Sequence, residues 1–236
     1  MKGMRHRVLA CDFDGTLAVE GVCSAETVEA LQRVAAAGMR LVLVTGRTWE
    51  ELIDVFDPGS LFEEIVVENG AVVIDRASGE AQLLAPRVPP GLVAELQRTG
   101  VTPLIVGRVL CSTAWSQEPK LSAAIAKLGV DRQVVRNRDS AMVLPPGISK
   151  RTGIEAALRS MGETPAVTVA VGDGENDVAL FAVAGVSVAV ANAVDVLKAR
   201  ADVVLTEPNG KGIQALAAAL VAGDLGALTA LSPLAG

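Results

Sequence analysis

The sequence predicts an α/β fold in which a parallel-sheet core carries a small α+β insertion. Three observations predict it. Short aliphatic runs ending in polar or glycine-rich turns (residues 8–13, 40–44 and 167–171) alternate with segments of helical periodicity, the order of β-α-β units with right-handed crossovers. Half of the residues are apolar but only 3% are aromatic, so the core is aliphatic, which suits a sheet covered by Ala-rich helices. From Asp75 to Pro145 the elements shorten and Pro and Arg become more frequent, marking an insertion. The core is therefore expected from residues 1–74 and 146–236, and the inserted domain from 75–145.

The first strand ends in Asp12-Phe13-Asp14-Gly15-Thr16. Alternation along an extended chain puts Asp12 and Asp14 on one side, at the carboxyl end of the strand, where open α/β sheets bind ligands. Two acids in hydrogen-bonding range of each other call for a nearby cation. A solvated turn is the competing reading of Asp-x-Asp-Gly taken alone. Ser24 caps a helix, with Thr27 completing a capping box, and Gly38 ends it. Strand 40–44 stops at Thr45-Gly46-Arg47, and a helix starting near Thr48 turns amides toward the same crevice. Strands 65–67 and 71–74 flank Glu68-Asn69-Gly70.

Within the insertion we expect strands at 81–84, 101–106, 133–135 and 141–144 and helices at 91–98 and 120–128, closing at Pro145-Pro146-Gly147. Ser149 caps a helix to about residue 161, whose first residue, Lys150, either faces solvent or reaches the acids. Strand 167–171 delivers Gly172-Asp173-Gly174-Glu175-Asn176-Asp177, with a helix opening near Asn176. A strand at 187–190, a helix at 194–201, a strand at 203–205, a helix at 212–222 and a short terminal helix after Asp224 complete the alternation.

Charge and composition narrow the function. The net charge of −6 argues against a general nucleic-acid binder. No apolar run approaches the ~20 residues that span a bilayer, and the basic start is not followed by the long apolar stretch of a signal peptide. Three cysteines without metal-like spacing (Cys11, Cys23, Cys111) suit a reducing cytoplasm. Cys11 is expected to face away from the acids. His6, the only histidine, lies in a start expected to fray, which leaves no basis for His-dependent catalysis. The insertion holds nine Lys/Arg against six acids, net +3, and leaves −9 for the rest. A basic insert facing an acidic core favours an anionic substrate, although a solvated surface explains it too.

In order, Asp12-Phe13-Asp14-Gly15-Thr16, Thr45-Gly46-Arg47, Lys150 and Gly172-Asp173-Gly174-Glu175-Asn176-Asp177 resemble the four motifs of the haloacid dehalogenase-like hydrolase superfamily. Glu68-Asn69-Gly70-Ala71, Asn192-Ala193 through Lys198, Ala201-Asp202 and Gly210 to Gly212 are similar to its Cof-type phosphatases, and the compact insertion to the phosphoglycolate phosphatases of that branch. The resemblance implies a Rossmann-like core with a cap, and a Mg²⁺-dependent phosphatase working through an aspartyl-phosphate. Asp12 would be the nucleophile and Asp14 the acid and base. The metal would be held by Asp12, the carbonyl of Asp14 and Asp173, with Asp177 as a direct or outer ligand. Thr45, the Gly46 amide, Lys150 and Asn176 would contact the substrate, while Arg47 either joins them or forms a salt bridge. The partner would be a small phosphorylated metabolite such as phosphoglycolate or a sugar phosphate, with no nucleic acid or membrane involved, and the protein a monomer or homodimer. The alternatives are a phosphomutase or phosphotransferase, a receiver-like signalling module that shares the acids, hydroxyl and lysine, and a non-catalytic phosphate-binding member.

Overall fold

The computed structural model describes residues 6–226. The chain opens with β1 (Val8–Asp12), a small hairpin of β2 (Ala18–Val19) and β3 (Val22–Cys23), α1 (Ala25–Ala36), β4 (Arg40–Val44) and α2 (Trp49–Ile53). Next come β5 (Glu64–Val67), β6 (Val72–Asp75) and β7 (Ala81–Leu83). The middle of the chain forms α3 (Pro90–Arg98), β8 (Ile105–Val106), β9 (Cys111–Ala114), α4 (Glu118–Leu128), β10 (Gln133–Asn137) and β11 (Ser140–Leu144). It returns through α5 (Lys150–Ser160), β12 (Thr168–Gly172), α6 (Asp177–Phe181), β13 (Val186–Ala189), α7 (Asp195–Lys198), β14 (Val203–Val204) and α8 (Asn209–Ala222).

An eight-stranded sheet runs β14-β13-β12-β1-β4-β5-β6-β7, parallel from β14 through β5. β1 lies between β12 and β4, and every residue of it is buried, which is why it is uniformly apolar up to its last residue. Register pairs Cys11 with Val171 and Asp12 with Val44, so the ends of three strands release their loops side by side. Helix α1 buries Thr27, Ala30, Leu31 and Val34, one face at i, i+3, i+4 and i+7, against α8. Ser24 is its N-cap as expected, with Oγ accepting from the Thr27 amide at 3.3 Å, but the Thr27 hydroxyl pairs with Ser24 Oγ at 3.2 Å and does not close the expected capping box.

A second, antiparallel sheet, β10-β11-β9-β8, packs with α3 and α4 around its own cluster, including Leu92, Leu96, Cys111, Leu121, Ala141 and Val143. β11 serves both cores. Ala141 and Val143 face the small cluster, while Met142 and Leu144 join the large one, as the period of two requires.

Four expectations need correction. Residues 81–83, expected to begin the insertion, pair with β6 and extend the large sheet, because a tight turn at 76–80 folds them straight back. Of residues 101–106 only Ile105–Val106 form a strand, since Pro103 has no N–H to give a ladder. β9, interior to the small sheet, was not expected, because Cys-Ser-Thr-Ala lacks β-branched apolar alternation. The β2–β3 hairpin was also unexpected. Residues 227–236, where most of the expected terminal helix falls, and residues 1–5 of the expected frayed start lie outside those described. Among the described residues, no helix is long and apolar enough to cross a membrane.

Candidate active site

β1 stops at Asp12 and the chain turns at once, with the amides of Thr16 and Leu17 both donating to the Phe13 carbonyl. Gly15 makes that turn at φ +78°, and a Cβ there would lie 2.2 Å from Asp173 Oδ2, so both conformation and space demand glycine. The turn separates the two acids that an extended chain would have kept together. Asp12 is buried, whereas Asp14 is exposed and held by both arms of Arg47, at 2.7 Å each. This decides between the two readings of Arg47 in favour of a salt bridge, and it removes the Asp14 carboxylate from the metal-capable cluster.

That cluster comprises Asp12, Asp173 and Asp177, all buried, with carboxylate oxygens within 4.8 Å of one another. Lys150, 1% exposed, lies between them, donating to Asp12 Oδ1 at 2.5 Å and Asp177 Oδ1 at 2.6 Å. Its place at the first position of α5 opposes the helix dipole, a cost of tenths of a kcal/mol that two buried charge-assisted bonds outweigh. Burial acts to lower the lysine, but the pull of Asp12 and Asp177 prevails and its pKa is raised, so it is ammonium. Burial pushes the Asp12 carboxyl well above the ordinary range, and Asp177 adds to the rise. Asp173 is also pushed up, first by burial.

Asp177 accepts three hydrogen bonds. Its Oδ2 accepts from the amides of Asp173 (3.0 Å) and Gly174 (2.9 Å), while Oδ1 holds Lys150. Asp177 thus shapes the Gly172–Gly174 loop as well as belonging to the carboxylate cluster that could hold an ion. Thr16 Oγ1 donates to Asp173 Oδ1 at 3.1 Å, so the hydroxyl of the first motif orients the acid of the fourth. The donor set fits a hard dication: oxygen donors only, buried, with three carboxylates against one buried ammonium.

The remaining expected residues fall around this cluster. Thr45 is buried, and its Oγ1 accepts the Arg47 amide at 3.1 Å. Gly46 lines a cleft of about 310 Å³ together with Asp12, Asp14 and Arg47 from the core and Ile105, Ser112, Arg138 and Met142 from the small domain. Asn176, like Thr45 and Lys150, is not on that cleft. As N-cap of α6 it is turned inward and donates to Asn69 Oδ1 at 2.9 Å, so it braces the site where a substrate contact was expected.

Two groups escaped sequence reasoning. Glu68, left without a role, is 1% exposed and accepts from three successive amides, Arg108, Val109 and Leu110, at 2.7–2.9 Å. Its own amide donates to the Arg47 carbonyl and that of Asn69 to the Thr45 carbonyl, so Glu68-Asn69 brackets core motif and small domain together. The second is Arg138, at the β10–β11 turn, whose guanidinium donates to Asp173 Oδ2. No motif flags it; the only signal was the positive charge of the insertion.

Against known proteins, the sequence pattern of the haloacid dehalogenase-like hydrolases matches residues 9–97 and 111–216. The chain is 31% identical over 210 residues to a phosphoglycolate phosphatase of Sulfurisphaera tokodaii, covering 86% of this chain and 88% of that one. It is 28% identical over 229 residues to phosphoglycolate phosphatase 2 of Saccharolobus solfataricus, covering 95% and 96%. Its fold is shared with a haloacid dehalogenase-like hydrolase of Bacteroides thetaiotaomicron at a TM-score of 0.77 and 22% identity, covering 90% and 98%. With three motifs at the carboxyl ends of the adjacent parallel strands β12, β1 and β4 and Lys150 reaching them from the start of α5, the chain belongs to the haloacid dehalogenase-like hydrolase family, in its Cof-type, phosphoglycolate phosphatase-like branch.

Proposed function

We propose that the chain is a Mg²⁺-dependent phosphatase that hydrolyses a small phosphate monoester through an aspartyl-phosphate on Asp12. The observation that carries this reading is the division of labour between two acids. Asp12 faces the cleft from a buried carboxylate cluster that Lys150 only partly offsets, and Asp14 stands at the cleft with its carboxylate oriented by Arg47. Asp12 and Asp173 would hold Mg²⁺, aided by the Asp14 carbonyl, and the ion supplies charge neutralisation for an anion approaching a carboxylate.

In the first step an Asp12 oxygen bonds to phosphorus as the bond to the leaving oxygen breaks, and Asp14, which enters this step as the protonated acid, gives that oxygen its proton. In the second, Asp14 takes a proton from water, whose oxygen bonds to phosphorus and releases Asp12 as carboxylate. Thr45, the Gly46 amide and Lys150 position the phosphoryl oxygens, the contribution that dominates phosphoryl transfer. The small domain forms one wall of the cleft and contacts the organic part of the ester.

The relatives named phosphoglycolate phosphatase support a small acidic ester as substrate, and the basic insertion agrees with them. We place the protein in a reducing cytoplasm as a monomer or homodimer, with three free thiols. Phosphate release from an aryl phosphate and a panel of phosphorylated metabolites, each with Mg²⁺ and with chelator, tests the assignment. Release that needs Mg²⁺ is expected. Phosphoryl transfer to added sugar alcohols without free phosphate would establish a phosphotransferase in its place.

A further inference from the structure

We propose that Arg138 is a specificity-determining residue, selecting phosphate monoesters that also carry a carboxylate, and that it shares one seat, Asp173 Oδ2, with the metal. The inference rests on the phosphatase reading above and extends it to the substrate class.

The turn is built to present this side chain. Arg138 has φ +50°; its amide donates to Glu175 Oε2 at 3.1 Å, and its carbonyl accepts from Arg136 Nε at 3.0 Å. The Arg136 guanidinium is itself held 4.8 Å over the Trp115 ring. Beside it Asn137 seats against Gly174, where a Cβ would come within 2.7 Å of Asn137 Oδ1, so glycine at 174 is what lets the turn dock on the loop carrying Asp173. The guanidinium reaches the buried Asp173 while its side chain stays 45% exposed on the cleft.

The other cleft guanidinium, Arg47, has its fork committed to Asp14. Arg138 is therefore the cleft-lining cation, among the described residues, whose carboxylate partner is an acid needed for the ion. A guanidinium and a divalent cation repel strongly at one buried carboxylate oxygen. With the ion in place Arg138 remains fixed at its backbone by Glu175 and Arg136, but its fork faces the cleft without a carboxylate. A planar fork matches a carboxylate in two parallel bonds, which a neutral ester cannot supply.

The test uses the full-length protein and Arg138→Gln, with Arg138→Lys as a second variant. Calorimetric titration of Mg²⁺ into chelator-treated protein should show about 10-fold tighter binding for Arg138→Gln than for wild type, because the competing cation is gone. At saturating Mg²⁺ the ratio of kcat/KM for phosphoglycolate to that for p-nitrophenyl phosphate should fall by about 10- to 100-fold, through KM, the worth of a charge-assisted pair. Arg138→Lys should recover part of that ratio, since it restores charge without the fork. Equal Mg²⁺ affinities would overturn the shared seat, and an unchanged substrate ratio would overturn the selective role. A wild type that binds no Mg²⁺ or releases no phosphate from either ester would instead remove the phosphatase reading itself.

Discussion

At the scale of single residues, Lys150 and the three acids around it are held by opposition. One ammonium faces three carboxylates, and burial has already pushed Asp12 and Asp173 above 3.8. Above that pH the folded chain therefore holds more protons than the unfolded one, so the contribution of these acids to stability falls as pH rises. Urea unfolding in chelator should show stability declining from about pH 4 upward as these carboxyls ionise. Lys150→Met should cost about 3–5 kcal/mol at neutral pH in the same assay, since it strands Asp12 and Asp177 without their partner. A change under 1 kcal/mol would mean that the lysine is not the counter-ion. Much of this cluster was legible in the sequence, because Asp12, Lys150, Asp173 and Asp177 sit at ends of strands and helices whose order fixes their meeting point. The direction of Asp14 was not, because one turn begun at Phe13 decides whether its carboxylate faces Asp12 or Arg47. Arg138 was illegible for a stronger reason: its position over Asp173 depends on how an inserted domain is seated, which no local pattern encodes.

At the scale of elements, the seating of the inserted domain depends on the turn between β5 and β6. Glu68 holds a left-handed conformation (φ +53°) that a non-glycine residue adopts at a cost, and its carboxylate fills the nest of amides at 108–110. Those amides lie between β8 and β9, which carry Ile105 and Ser112 into the cleft. Glu68→Gln replaces one acceptor oxygen with a donor facing buried N–H groups, and should cost about 2–4 kcal/mol in denaturant unfolding. Wild-type stability in that variant would show that the bracket carries no weight. The parallel strands were read correctly because full burial on both faces leaves continuous aliphatic runs, as in β1 and β4. β7 was read as a strand but placed in the insertion, and β9 was missed, because pairing at the sheet edge or inside a small domain is set by partners, not by composition.

At the scale of the whole molecule, an acidic core and a basic insertion meet over one cleft, with three of the core's acids gathered in the buried cluster. An ion bound there stabilises the folded state by mass action, about 2.7 kcal/mol at a hundred times its Kd, or roughly 5–10 °C in Tm for a chain of this size. Mg²⁺ should raise Tm by that order in wild type and by little in Asp173→Asn, as read by calorimetry. An equal rise in both would place the ion elsewhere. The central claim, that Asp12 carries the phosphoryl group and Asp14 governs its release, is tested most directly by trapping the intermediate. Asp14→Asn is mixed with Mg²⁺ and an aryl phosphate, whose leaving group needs little protonation, then quenched in acid and peptide-mapped by mass spectrometry. The account predicts phosphate on the peptide containing Asp12, accumulating in this variant and absent from Asp12→Asn. Phosphate on another residue, or undiminished phosphate release by Asp12→Asn, would contradict it.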